Sequence, residues 1–207
     1  MNLKKWFFLF WSGMVVGALA CVITGAIMAW VDPEFGFLGF KAVGFNALMM
    51  ALVGLMIGAF SQMGFFAYLT LNYIALSVFG KKYLWNTLQG YTTVFAAAGL
   101  GYLLFETRMN NWFFWTLPLV LLVFSAIVSW FKVKQTNKTA FVPTMFLMFV
   151  VTFIEAWPAL QGETNVSAIV FMMVPLFVCN GYQIMMMHRL VRKETTDSAA
   201  IAAKPVL

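Results

Sequence analysis

The chain alternates between long apolar blocks and short polar links along its whole length. A membrane-spanning helix needs about 20 apolar residues, and helices suit lipid because their backbone hydrogen bonds are internal. Blocks of this kind run from Trp6 to Val31, Ala42 to Gly80, Trp85 to Phe105, Trp112 to Phe131, Ala140 to Trp157 and Val166 to Met187. The pattern predicts an all-α, polytopic transmembrane helix bundle with six membrane-spanning helices.

The second block is nearly twice as long as one crossing requires. Two crossings within it would move Lys81 and Lys82 to the outer face and invert every later link. We therefore predict one crossing to about Phe60, a break at Ser61–Gly64, and an interfacial or partly re-entrant helix near residues 61–80. A single long, tilted helix over the whole block is the alternative.

Basic residues are concentrated in alternate links between the blocks. Lysine and arginine mark cytoplasmic loops, so we assign these links to the inner face and predict that both termini are cytoplasmic. Of the basic residues, only Lys41 and Arg108 fall on the outer side. An inner face of this charge would attract anionic membrane lipids. The residues assigned to it are Lys4, Lys5, Lys81, Lys82, Lys132, Lys134, Lys138, Arg189, Arg192, Lys193 and Lys204.

Composition excludes a water-soluble domain. Hydrophobic residues make up 63% of the chain and charged residues 10%, whereas soluble domains carry roughly 25% charged residues. Because the basic residues do not form a patch on a soluble fold, we expect no nucleic-acid partner. Residues 1–193 are interpreted as one integral membrane domain, and residues 194–207 as a short, flexible cytoplasmic tail.

Polar side chains within the apolar blocks are the candidate functional residues, since each needs a partner where water is absent. We interpret them as an intramembrane polar seam near the cytoplasmic ends of the second, third and sixth predicted helices, in which they satisfy one another. A site for a ligand or a partner helix is the alternative. The seam residues are Asn86, Gln89, Asn180 and Gln183.

Catalysis and transport find little support among the residues. Glu155 is the one acid deep in a block, but it precedes Trp157 and is expected to be an exposed carboxylate at the outer interface. His188 is expected at the membrane interface, and Cys21 and Cys179 as buried apolar fillers. We expect no enzyme, no cofactor and no metal site. A small-solute transporter or channel is the alternative function.

Small residues four positions apart let helix backbones approach closely in lipid. Such steps occur at Gly13 and Gly17, at Gly54 and Gly58, and at Ala97 and Gly101. We interpret them as packing within the bundle, with a homo-oligomer or partner interface as the alternative.

One stretch of the second block resembles the KinB-signalling pathway activation proteins, the KbaA family of spore-forming bacilli. It reads Ser61-Gln62-Met63-Gly64-Phe65-Phe66-Ala67-Tyr68-Leu69-Thr70. The Lys4-Lys5-Trp6 start, the Leu84-Trp85-Asn86 opening of the third predicted helix and the overall size are similar to that family as well.

The resemblance implies a non-catalytic, multi-pass protein of the bacterial cell membrane. A membrane histidine kinase would need it in order to feed phosphate into the sporulation phosphorelay. Contact within the membrane would then bias the conformational equilibrium of the kinase. Our hypothesis is that one segment forms the contact surface or a hinge: Ser61, Gln62, Met63, Gly64, Phe65 and Phe66.

Overall fold

The computed structural model describes residues 3–32, 35, 42–108, 112–162 and 166–202, and the regular elements in these ranges are all helical. Some charged residues used to predict the topology lie outside these ranges: Glu34, Lys41, Glu163 and Lys204. The α-helices are α1 Leu3–Val31, α2 Val43–Phe79, α3 Lys82–Arg108, α4 Trp112–Gln135, α5 Phe141–Phe146, α6 Thr152–Gly162 and α7 Val166–Ala202. The prediction of an all-α fold is confirmed for the described ranges.

Five helical segments are long and apolar enough to cross a membrane: Leu3–Val31, Val43–Phe79, Thr116–Gln135, Lys138–Pro158 and Val166–Leu190. The prediction of a multi-span helical protein is confirmed to that extent. Helix α3 has 27 residues, which is ample for one crossing. It is not one of the five segments, so the sixth span stays a prediction.

Helix α2 runs without interruption over its 37 residues, from Val43 to Phe79. The break predicted at Ser61–Gly64 is absent, and the alternative of one long helix describes this segment. The polar side chains do not interrupt the helix because they find partners inside the bundle. The helix ends at Gly80, whose φ of 60° lies in the left-handed region that glycine adopts without steric cost.

The fifth predicted block is a single helical segment whose pitch changes. A 3₁₀ turn at Lys138–Ala140 leads into α5, and a π-helical turn at Leu147–Val151 joins α5 to α6. All five residues of the π-helical turn are buried. Its extra residue rotates the helix that follows by about 100° relative to an uninterrupted α-helix. This rotation determines which side chains of α6 face the interior.

The centre of the bundle is formed by α1, α2 and α7, with the most extensive contact between α1 and α2. A β-carbon at Gly17 would collide with the carbonyl oxygen of Gly54 and touch the backbone of Gly58. A β-carbon at Gly58 would meet the backbone of Met14. Packing within the bundle is therefore confirmed for these glycines. A β-carbon at Gly101 would meet no atom of another helix within 4 Å in the part of the chain that the structure describes, so the role of Gly101 stays a prediction.

Replacing Gly54 with alanine is expected to destabilise the protein by ~1–3 kcal/mol, because the added methyl group overpacks the contact between α1 and α2. The midpoint of thermal unfolding in detergent measures the change. Gly101→Ala is the matched control and should leave the midpoint unchanged or slightly raised, because alanine favours a helix by about 1 kcal/mol over glycine. Equal midpoints for the two variants would contradict the packing described.

Candidate functional site

The polar side chains of the interior meet around Asn180 of α7. Asn180 Oδ1 accepts a hydrogen bond of 2.8 Å from Ser61 Oγ of α2. The Asn180 amide nitrogen donates to Thr152 Oγ1 at 2.9 Å and to Glu155 Oε2 at 2.7 Å, both on α6. Ser61 Oγ also accepts a hydrogen bond of 2.8 Å from Gln183 Nε2. We call these five residues the Asn180 cluster.

The Asn180 cluster is shielded from solvent. Its five side chains are between 0% and 5% exposed. A buried polar group that loses its partner costs about 1–3 kcal/mol, and more if it is charged. Because the hydrogen bonds run between three helices, they oppose any shift of α2 or α6 against α7.

A separate polar contact joins α2 to α1. Gln62 Nε2 donates to the backbone carbonyl oxygen of Leu9 at 3.0 Å. A β-carbon at Gly13 would collide with the same amide nitrogen. Gly13 therefore leaves the space that Gln62 occupies, and the two polar residues predicted at the break, Ser61 and Gln62, bond to different helices.

The expectation of an exposed Glu155 at the outer interface is wrong. Glu155 is 5% exposed, and its Oε1 lies where a β-carbon of Gly64 would be. The rotation at the π-helical turn directs this side chain towards α2 and α7. Two signals in the sequence indicated a buried role: Glu155 is the one acid deep in an apolar block, and Thr152 lies one helical turn before it on the same face.

The other residues of the predicted seam lie apart from the Asn180 cluster. Gln89 of α3 is fully buried, and its Nε2 donates to the Tyr68 hydroxyl at 3.4 Å. Tyr68 donates in turn to the carbonyl oxygen of Pro143 at 3.2 Å. Asn86 is half-buried. Of the four predicted seam residues, only the two on α7 are brought together with Ser61.

The predicted contact or hinge segment has two faces. Three of its six residues point to the interior: Ser61, Gln62 and Phe65. Gly64 touches the Glu155 carboxyl group. Phe66 is half-buried, with its ring 5.1 Å from that of Trp6. Met63 is 67% exposed. Its outward position makes Met63 the residue of this segment best placed to touch a partner; contact and hinge both stay predictions.

Sequence reasoning also missed Lys132. We assigned this lysine to a cytoplasmic link, yet its side chain is buried and its Nζ donates to the backbone carbonyl oxygen of Ile184 at 2.6 Å. It connects the end of α4 to α7. Within the described ranges, no three residues of the kinds that ligate metals come together.

These features define the class of protein. It is a multi-pass helical membrane protein whose interior is held together by polar contacts within the spanning segments. The chain belongs to the KbaA family, described as KinB-signalling pathway activation in sporulation, whose model matches residues 17–190. The family resemblance found from the sequence is thereby confirmed.

A curated relative agrees with this assignment. The chain is 35% identical over 190 residues to the KinB-signaling pathway activation protein of Bacillus subtilis (strain 168). The alignment covers 89% of this chain and 96% of the relative. No solved structure matches the chain.

Replacing Asn180 with leucine is expected to lower the stability strongly, by about 1–3 kcal/mol for each buried partner left unsatisfied. Thermal unfolding in detergent measures the loss. Thr92→Val is the control, because the Thr92 hydroxyl bonds only to the Leu88 carbonyl oxygen of its own helix turn in the contacts described. An Asn180→Leu variant as stable as the control would show that the cluster contributes little.

Proposed function

We propose that this chain is a non-catalytic membrane protein that promotes activation of a membrane sensor histidine kinase, which feeds the sporulation phosphorelay. The observation that carries the proposal is the family match over residues 17–190. The family description names KinB signalling and sporulation. The name of the Bacillus subtilis relative says the same of that protein.

The interior supports an accessory role over transport. The polar side chains expected to line a water-filled cavity, Gln62, Gln89 and Asn180, are all at most 1% exposed. They are bonded to neighbouring helices. Side chains held in this way give the bundle a defined packing that a partner could stabilise or shift.

The outward face of α2 is the surface we propose for the kinase. Met56, Phe60 and Met63 lie three or four positions apart, so they share one face of the helix, and all three are exposed. Methionine is unbranched and polarizable, and it adapts to the shape of a partner. On the same turn of α2, Ser61 is bonded to Asn180. A partner that contacts Met63 would therefore act on a helix whose position the Asn180 cluster fixes.

The mechanism needs only a modest energy. A partner that prefers one conformation of the kinase by about 1–3 kcal/mol changes the equilibrium by roughly 5–150-fold. Contact between membrane helices can supply such a preference through packing alone. No phosphate needs to pass through this chain.

Adding this protein to a KinB-type kinase in lipid nanodiscs is expected to raise the rate of kinase autophosphorylation by roughly 5–150-fold. Transfer of labelled phosphate from ATP to the kinase measures the rate. The kinase in discs without this protein is the reference. An unchanged rate, with both proteins present in the same discs, would contradict the proposal.

The contact itself is tested by a photoreactive residue at Met63 in native membranes that contain the kinase. Leu119 of α4 is the matched control, because it is 64% exposed in a spanning segment of another helix. Crosslinking to the kinase from Met63 but not from Leu119 supports contact on α2. Equal crosslinking from both positions would contradict a specific surface.

We also propose six membrane spans in the bacterial cell membrane, with α3 as the sixth span and both termini cytoplasmic. Helix α3 packs against α2, α4 and α5, and its length suffices for one crossing. A crossing by α3 keeps the basic links together on one side. The exposed side chains of Lys4, Lys81 and Lys82 would then face anionic lipids.

Thiol labelling tests the sixth span. A membrane-impermeant reagent on intact cells should modify a cysteine at Asn110, in the link after α3, and spare one at Lys81. The native Cys21 and Cys179 are fully buried and give little background. Equal modification of Asn110→Cys and Lys81→Cys would show that α3 does not cross the membrane.

A further inference from the structure

The hydrogen bonds of the Asn180 cluster run in one direction, towards Glu155. Gln183 donates to Ser61, Ser61 donates to Asn180, and Asn180 donates to Glu155. A chain of donors that ends on a carboxyl oxygen suits a carboxylate, which only accepts hydrogen bonds. The direction is therefore compatible with an ionised Glu155.

This direction leaves buried acceptors without donors. Glu155 Oε1 and Gln183 Oε1 are buried and have no hydrogen-bond partner. Among the residues that the structure describes, no lysine or arginine is paired with Glu155. An uncompensated carboxylate inside a membrane is costly. The ionised state therefore leaves a buried negative charge without a positive partner.

Among the described residues, none that contacts Glu155 carries a charge. From α7, the titratable neighbour that feels its charge is Cys179. From α2, the residues against it are Gly64 and, through Asn180, Ser61. The π-helical turn Leu147–Val151 contributes only apolar residues.

The same chain can run in the opposite direction. A half-turn of an Asn or Gln side-chain amide exchanges its oxygen and its NH₂ group. A protonated Glu155 could then donate from Oε2 to Asn180, Asn180 to Ser61, and Ser61 to the oxygen of Gln183. In the second direction the Gln183 oxygen, which has no partner in the first, accepts from Ser61, and the Gln183 NH₂ group takes its place at the unpaired end of the chain.

We propose that Glu155 is an intramembrane proton-binding site, and that its proton reverses the hydrogen-bond chain through Asn180 and Ser61 to Gln183. One O–H bond forms at the Glu155 carboxyl group and one breaks in the hydronium ion that supplies the proton, which becomes water; no covalent bond in the protein breaks. Reversal exchanges donor and acceptor in the hydrogen bonds between α6, α7 and α2. It requires side-chain rotations and only small shifts of the helices. The site belongs to this chain alone and does not depend on a kinase.

A proton suits this site better than a metal ion. Glu155 Oε1 would collide with a β-carbon at Gly64, so its surroundings are tightly packed. A metal ion needs oxygen ligands on several sides at about 2.0–2.6 Å. A proton needs no added volume and neutralises the single carboxylate.

Infrared difference spectroscopy of the full chain in lipid vesicles tests the proposal. Titration from acidic to alkaline buffer should remove a protonated-carboxyl band that is lost in Glu155→Gln and kept in the control Asp32→Asn. With ¹³C-labelled glutamine, a side-chain carbonyl band should shift in the same titration. That shift should disappear in Ser61→Ala, which keeps Glu155 but removes the hydroxyl group that connects Asn180 to Gln183.

The outcomes are distinct. A carboxyl band that persists in Glu155→Gln would overturn the proton site. A glutamine shift that persists in Ser61→Ala would overturn the reversal of the chain. Should Glu155→Gln fail to accumulate, Glu155→Asp keeps the acid, and a changed band frequency in that variant then assigns the proton to this position. An unchanged frequency in Glu155→Asp would overturn the assignment.

Discussion

The arrangement of the central helices depends on one constraint: a polar side chain inside a membrane must find its partner in the protein. Asn180 meets this constraint on both sides of α7, with Ser61 on α2 and with Thr152 and Glu155 on α6. No hydrophobic driving force brings helices together in lipid, because lipid tails are as apolar as leucine, so close packing and interhelical hydrogen bonds determine how helices associate. The directional bonds of one amide therefore set how three helices lie together.

Glycine makes these polar contacts possible. A β-carbon at Gly13 would collide with the Gln62 amide, and a β-carbon at Gly64 would collide with the Glu155 carboxyl group. In both cases a polar side chain of one helix lies against the bare backbone of another. The small residues of this protein therefore serve two purposes: close approach of α1 and α2, and room for buried polar groups. Each of these two polar contacts depends on a glycine, whose missing side chain leaves the space.

Much of the fold was predictable, because the apolar blocks and the positive links are visible in the sequence. The all-helical architecture and the roles of Asn180 and Gln183 as buried polar residues followed from this pattern. The continuous α2 did not, because whether Ser61 and Gln62 interrupt a helix depends on partners far away in the sequence. The burial of Glu155 was missed because the nearby Trp157 favoured an outer interface over the signals for a buried role, and because no simple periodicity indicates the π-helical turn at Leu147–Val151 that rotates the face of α6.

The central claim is that Glu155 is bonded to Asn180 inside the membrane, and solid-state NMR in lipid bilayers tests it most directly. Selective labelling would report contact between the side-chain nitrogen of Asn180 and the carboxyl carbon of Glu155. The structure predicts a strong correlation between these two nuclei, since the nitrogen lies 2.7 Å from Glu155 Oε2. A Glu155 carboxyl carbon that correlates with water and not with Asn180 would contradict the account.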